Sequence, residues 1–173
     1  NKTYRTSSQG VTGTYIRSVA THEAAHHYGI SHTAVRSATM SYVLPSGTNA
    51  ASLELDDQLV YLKAYADSAT RADASRIGGT VTDGLTGAGL PGAIVFLIDE
   101  ATGDTTACDY TFTDGSYDFL GVPAGSYYVS IYPLNGSSQI SYLKPAYIND
   151  LVAATAVTVF VPEYYDAAES NSD

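Results

Sequence analysis

The sequence predicts an α+β chain, in which a mainly helical, histidine-bearing segment is followed by an antiparallel β-sandwich. Three observations carry this expectation. Residues 16–28 and 53–66 space their apolar side chains as helices do. From Arg76 onward the pattern changes to short apolar runs separated at regular intervals by Gly-rich turns. Between the two, Asp67 to Ser75 (D-S-A-T-R-A-D-A-S) is short, small and polar, and reads as a linker. The expected division is a first segment at 1–66, a linker at 67–75, a sandwich at 76–165 and an acidic tail at 166–173.

Residues 1–14 are rich in Ser, Thr and Gly and read as loop. Asn1-Lys2-Thr3 and Asn135-Gly136-Ser137 are formal glycosylation sequons, tripeptides that are common and usually unused. From Tyr15 the spacing turns helical, with Ile16, Val19, Ala20 and Ala24 expected to pack on one side and the histidines to face another. All four histidines of the chain lie between His22 and His32, in H-E-A-A-H-H-Y-G-I-S-H. On a helix, His22 and His26 stand one turn apart on one face, so both imidazoles can reach a single ion. Glu23 points beside that face, where it can take a proton from a water at the metal. Gly29 can adopt the left-handed conformation that ends a helix and turns the chain back, and this return brings in His32 as a third ligand. Three neutral nitrogen ligands with an open fourth position describe a catalytic zinc (Zn2+) site, because a closed structural site uses four protein ligands. His27 stands about 100° round the helix from His26 and reads as a solvated or neighbouring residue rather than a ligand.

The pattern H-E-x-x-H-x-x-G-x-x-H resembles that of the metzincin metallopeptidases. A second stretch strengthens the likeness. Ser37-Ala38-Thr39-Met40-Ser41-Tyr42 is similar to that family's Met-turn, a loop that places a methionine beneath the zinc ligands, and Met40 is the one methionine of the chain. The resemblance puts Tyr42 where astacin-like and serralysin-like members carry a tyrosine that approaches the zinc and the scissile carbonyl. Residues 30–52, with Pro45, Gly47 and Asn49, read as irregular structure wrapping the metal site. Leu53-Glu54-Leu55-Asp56-Asp57, then Leu59, Leu62 and Tyr65, is similar to the closing helix of matrixin-like members. Leu55, Leu59 and Leu62 share one side of it, while Asp56 and Asp57 suit the positive end of a helix dipole and read as a helix start without chemistry.

Spanning about residues 10–66, the resemblance implies a zinc endopeptidase acting on peptide or protein substrates. In that reading His22, His26 and His32 hold zinc, Glu23 is the general base, Tyr42 donates to the tetrahedral oxyanion and Met40 is structural. Metzincin catalytic domains carry a twisted sheet and a helix ahead of the motif, whereas here only Asn1 to Thr21 precede it. The expectation is a processed or incomplete piece of a longer precursor, with peptidase activity depending on an N-terminal subdomain supplied from elsewhere.

The candidate strands beyond the linker are Ile77–Thr82, Ala93–Asp99, Thr105–Thr111, Tyr117–Phe119, Tyr127–Tyr132 and Ala156–Val161. In Tyr127-Tyr128-Val129-Ser130-Ile131-Tyr132 successive side chains face opposite sides of a sheet. Asp83-Gly84, Gly87–Gly92 and Asp114-Gly115 supply the turns. The residues Ile77-x-Gly79-x-Val81-x-Asp83, Leu90-Pro91-Gly92-Ala93-x-Val95, Thr113-Asp114-Gly115-Ser116-Tyr117-x-Phe119 and Val122-Pro123-Ala124-Gly125-Ser126-Tyr127 resemble the carboxypeptidase regulatory-like domains. That likeness implies a transthyretin-like sandwich without catalytic residues, of a kind that accompanies secreted enzymes and surface proteins. Asp114 reads as a turn-former, with a calcium ion (Ca2+) left open as a second role. The closing stretch from Glu163 (E-Y-Y-D-A-A-E-S-N-S-D) is acidic and small, and is expected to be loosely ordered unless it pairs with another chain.

Composition narrows the function classes. The net charge of -10, with 8 basic residues against 18 acidic ones, argues against nucleic acid, which needs a clustered basic face. No apolar run approaches the ~20 residues of a membrane span. A single cysteine, Cys108, rules out an intrachain disulfide and reads as a small buried or strand residue. An acidic surface with few lysines fits a soluble protein of a salty or extracellular setting, and the expected location is secreted, extracellular or at the cell surface. Two other readings stand beside the peptidase: a structural subunit that self-associates into oligomers or filaments through sandwich edges, its zinc site idle, and a zinc-dependent binding module without catalysis. The 15 tyrosines are the one hint of the latter, and they fit half-buried strands as well.

Overall fold

The computed structural model of the chain describes residues 4–5, 14–45, 49–134, 160–161 and 163–165. The chain divides into two compact units, Asn1–Ala72 and Asp73–Asp173. The first is mainly helical and the second is built of antiparallel sheets, so the α+β expectation holds.

In the first unit, strands β1 (Tyr4–Arg5) and β2 (Thr14–Tyr15) form a two-residue parallel pair, in the expected loop 1–14 except for Tyr15, where the helical pattern was expected to begin. Helix α1 follows at Ile16–His27. Its buried residues are Ser18, His22 and Ala25, whereas Ile16, Ala20 and Ala24 are exposed. This corrects the expected separation of an apolar face from a histidine face. The helix turns His22 and, in part, His26 inward while His27 stays exposed, and small Ser18 and Ala25 line the same buried stripe. A 3-10 turn, Asn49–Ala51, packs against α1 and buries Ala50 completely.

Helix α2 runs from Leu55 to Tyr65 and buries Leu59, with Leu55 and Leu62 half-buried. The Tyr65 hydroxyl donates to the Tyr28 carbonyl, so α2 satisfies an orphan acceptor at the end of α1. Between the two helices, the irregular stretch from Ile30 to Ser41 buries Ile30, Thr33, Ala34, Val35, Ala38, Thr39, Met40 and Ser41. Much of this unit's core therefore comes from a loop. The stretch read as a linker holds a third helix, α3, at Ser68–Asp73. Asp67 caps it, its carboxylate accepting from the Thr70 N–H at 2.8 Å, and that bond holds the carboxyl below its ordinary pKa.

The second unit contains β3 (Arg76–Thr80), β4 (Ile94–Asp99), β5 (Thr105–Tyr110), β6 (Ser116–Leu120), β7 (Tyr127–Tyr132) and β8 (Glu163–Tyr165). β3 and β6 form one antiparallel pair, with Ile77 opposite Phe119. The other sheet has the order β5-β4-β7-β8, all antiparallel, with Phe96 flanked by Cys108 and Ser130. β4 is interior to its sheet, and Ile94, Val95, Leu97 and Ile98 are buried on both of its faces, as a continuous apolar run requires. Each such side chain contributes about 1.5–3 kcal/mol relative to exposure. The burial of β7 does not alternate, because neighbouring Val129 and Ser130 are both buried.

At the turn before β6, Gly115 takes φ +81°, and a Cβ there would stand 2.3 Å from the Val81 carbonyl oxygen. Beside it, the Asp114 carboxylate accepts from the Ser116 hydroxyl and N–H at 2.6 and 2.9 Å, which lowers its pKa and fits the expected turn role.

The expectation for the closing stretch is corrected at its start. Glu163–Tyr165 pairs with β7 of the same chain, Ile131 opposite Glu163 and Val129 opposite Tyr165, closing an edge that β7 would otherwise leave open. The candidate strand Ala156–Val161 lies outside the described residues except at 160–161, which are not in a strand. Both sequons and the acidic tail 166–173 also lie outside them.

Candidate metal centre

The site is assembled by one helix and the turn that ends it. His22 and His26 project from successive turns of α1. The helix closes in a Schellman arrangement: the Ile30 N–H donates to the Ala25 carbonyl at 3.1 Å and the Gly29 N–H to the His26 carbonyl at 2.9 Å. Gly29 has φ +78°, the left-handed conformation the sequence predicts there. Ile30 then joins Ala25 and Met40 in a small buried cluster, which fixes the direction in which the chain returns. Two residues later His32 reaches the other two rings.

The three Nε2 atoms form a near-equilateral triangle, with sides of 3.1 Å (His22–His26), 3.2 Å (His26–His32) and 3.3 Å (His22–His32). The His22 Nδ1 lies 2.7 Å from the Thr39 carbonyl, and the His26 Nδ1 lies 2.8 Å from the Ile30 carbonyl. A carbonyl only accepts, so both Nδ1 atoms carry protons, and in the neutral rings the Nε2 atoms carry lone pairs. Lone pairs directed at one another at this range repel unless a cation lies between them. A tetrahedral ion with metal–nitrogen distances of about 2.0–2.1 Å holds its nitrogens about 3.3 Å apart, close to the spacing here. The residues fit zinc. Burial, and then the nearby His26 and His22, hold His32 below the ordinary imidazole pKa, against an opposing pull from Glu23. Its neutral, ligating form is thereby favoured.

Residues 1–66 match the family model described as Matrixin. Residues 1–66 are matrixin-like. Residues 76–159 match the model described as Carboxypeptidase regulatory-like domain, so the two resemblances occur in the order read from the sequence. No curated protein gives a significant match to the chain. The matrixin match supports a metallopeptidase-related origin and implies zinc, and among the described residues the three histidines form a group that could hold a metal ion.

The turn around Met40 meets the site through the Thr39 carbonyl, which faces His22 Nδ1. The Ser41 N–H donates to the Ala38 carbonyl at 3.2 Å, closing a turn with Thr39 and Met40 at its centre. Met40 is 1% exposed, and half-buried Val60 and Tyr61 pack against its cluster. Tyr42 is half exposed, with its ring edge-on to His32 at a centroid distance of 5.2 Å. Glu23 is exposed and near enough for its charge to act on His32. His27 is exposed and outside the cluster. Among the described residues no other group of three or more ligating side chains converges, and nothing supports calcium at Asp114.

Asp57 carries more than the sequence reading assigned to it. It is 1% exposed, and its Oδ2 accepts from the N–H groups of Thr39 (3.0 Å) and Glu54 (2.9 Å), while Oδ1 accepts from that of Met40 (3.0 Å). A residue read only as part of a helix start therefore ties α2 to the Met-turn. The spacing Glu54-x-x-Asp57 at a helix start was the available signal, since an acidic third position can reach back to the cap. The carbonyls of Thr39 and Ile30, which orient two of the rings, have no sequence signal because every residue type carries one.

Proposed function

We propose that the matrixin-like segment carries the zinc site of a secreted or cell-surface metalloendopeptidase that hydrolyses peptide bonds in peptide or protein substrates. The observation that carries this reading is the triangle of Nε2 atoms, with two Nδ1 protons already committed to carbonyls. His22, His26 and His32 would hold zinc, which when bound would supply the Lewis acidity to acidify a water and polarise a carbonyl oxygen. Glu23, adjacent to His22 on α1, takes the proton of the attacking water on a carboxylate oxygen and returns it to the departing amine. Tyr42, whose ring leans on His32, donates its phenolic hydrogen to the developing oxyanion. The turn around Met40 is buried, and Met40 packs with Ala25 of α1 and with Ile30. An acidic, lysine-poor composition and the regulatory-like sandwich support an extracellular setting.

A fluorogenic peptide assay beside metal analysis tests the assignment. Glu23→Gln is expected to abolish hydrolysis while zinc stays bound, and undiminished turnover in that variant refutes the role given to Glu23.

A self-associating structural subunit is the second reading. It draws on β3, which exposes Arg76, Gly78, Gly79 and Thr80 and pairs only with β6 among the described residues. Filaments by electron microscopy, without peptide cleavage, favour it; cleaving monomers exclude it.

A further inference from the structure

We infer that Asp57 is a positioning residue for the metal centre, acting on His22 through the peptide unit between Thr39 and Met40. The inference rests on the zinc reading above. The Thr39 carbonyl and the Met40 N–H belong to one planar, resonance-coupled amide. At one end, the N–H donates to the Asp57 carboxylate at 3.0 Å; at the other, the carbonyl oxygen accepts from His22 Nδ1 at 2.7 Å. A carboxylate on the N–H side draws charge through the amide and makes its oxygen more negative. That oxygen then holds the Nδ1 proton more strongly, and electron density rises at Nε2, the atom that faces the cluster.

Histidine ligands that donate directly to a carboxylate gain basicity and a fixed ring orientation in the same way. Here a peptide stands between the two. The members of this relay lie out of water: Thr39, Met40 and Asp57 are at most 1% exposed, and His22 is 6% exposed. Low polarity strengthens each link. The carboxylate is also held still, because its other oxygen accepts from the Thr39 and Glu54 N–H groups. His26 lies outside the relay, its Nδ1 donating to the Ile30 carbonyl instead.

The test is zinc affinity, measured by competition with a chromophoric chelator, in wild type, Asp57→Asn and Leu59→Ala. Asp57→Asn removes the charge at constant size and is expected to weaken zinc by about 10-fold or more, the range for loss of a residue that supports a ligand. Leu59→Ala loosens the same helix without touching the relay and is expected to leave the affinity near wild type. Equal affinity in a folded Asp57→Asn variant, or equal losses in both variants, overturns the inference.

Amide NMR of the wild-type chain covers the case in which Asp57→Asn does not fold. Adding zinc should move the Met40 amide proton downfield by more than that of Glu54, which shares the carboxylate but not the relay peptide. Equal or absent shifts overturn the inference on their own. Failure of the wild-type chain to bind zinc instead removes the reading beneath it.

Discussion

On the zinc reading proposed above, proton and metal compete at the residue scale for the same three nitrogens. Burial together with the neighbouring imidazoles places the folded pKa of His32 below the ordinary value of 6.5, so the unfolded chain takes up the proton first as the solution is acidified. The stability this group contributes is present above 6.5 and is lost as the pH falls through that value towards the lowered one. Zinc adds a dependence of the same sign, because each ligand must be neutral to bind it. The expected outcome is a melting temperature of the metal-free chain that falls between pH 7.5 and pH 5, with zinc affinity falling more steeply over the same interval. Calorimetry and chelator competition across a pH series check both. An affinity independent of pH would mean that imidazoles are not the ligands.

At the scale of elements, the important device is the end of α1. A ligand pair one turn apart is common on helices, but the third ligand arrives only because the chain reverses within Tyr28–Ser31. Gly29 makes that reversal inexpensive. The nearest atom to a Cβ built there is the Tyr65 hydroxyl, 4.0 Å away, so an alanine meets no clash and its cost is conformational. Gly29→Ala is expected to destabilise by about 1–2 kcal/mol, the penalty for an L-residue in the left-handed region. Thermal unfolding followed by circular dichroism measures that loss, and zinc affinity should fall in parallel because His32 is re-aimed. A variant that kept full stability would show that the turn tolerates another geometry.

At the scale of the whole molecule, the three proposed zinc ligands, and the described groups that orient them, lie in the unit Asn1–Ala72. An ion that binds only the folded state stabilises by an amount set by its concentration, about 2.7 kcal/mol at 100 times the dissociation constant. That stabilisation belongs to the segment that holds the ion. Chelating zinc is therefore expected to raise amide hydrogen exchange in peptides from residues 14–65 and to leave β4, β5 and β7 protected. Exchange read by mass spectrometry, with and without chelator, checks this. A uniform rise across both units would contradict it.

How much of this is legible in the sequence depends on how local each feature is. Helix α1 was expected at 16–28 and is found at Ile16–His27; β7 was expected, and is found, at Tyr127–Tyr132. The convergence of His22, His26 and His32 could be read because the three lie within eleven residues, where helical periodicity and one left-handed glycine place them. Other features were set by partners distant along the chain. Which face of α1 is buried depends on the Met-turn and the 3-10 turn packed against it. The tautomer of His22 depends on a carbonyl 17 residues away, and the pairing of Glu163–Tyr165 on a strand more than thirty residues earlier. The sequence by itself determined which residues can bind the metal and how the chain turns to bring them together, because local backbone preferences govern both. Tertiary structure alone decided the buried face, the tautomer of His22 and the hold of Asp57 on the Met-turn, because their partners lie far along the chain and only folding brings them within reach.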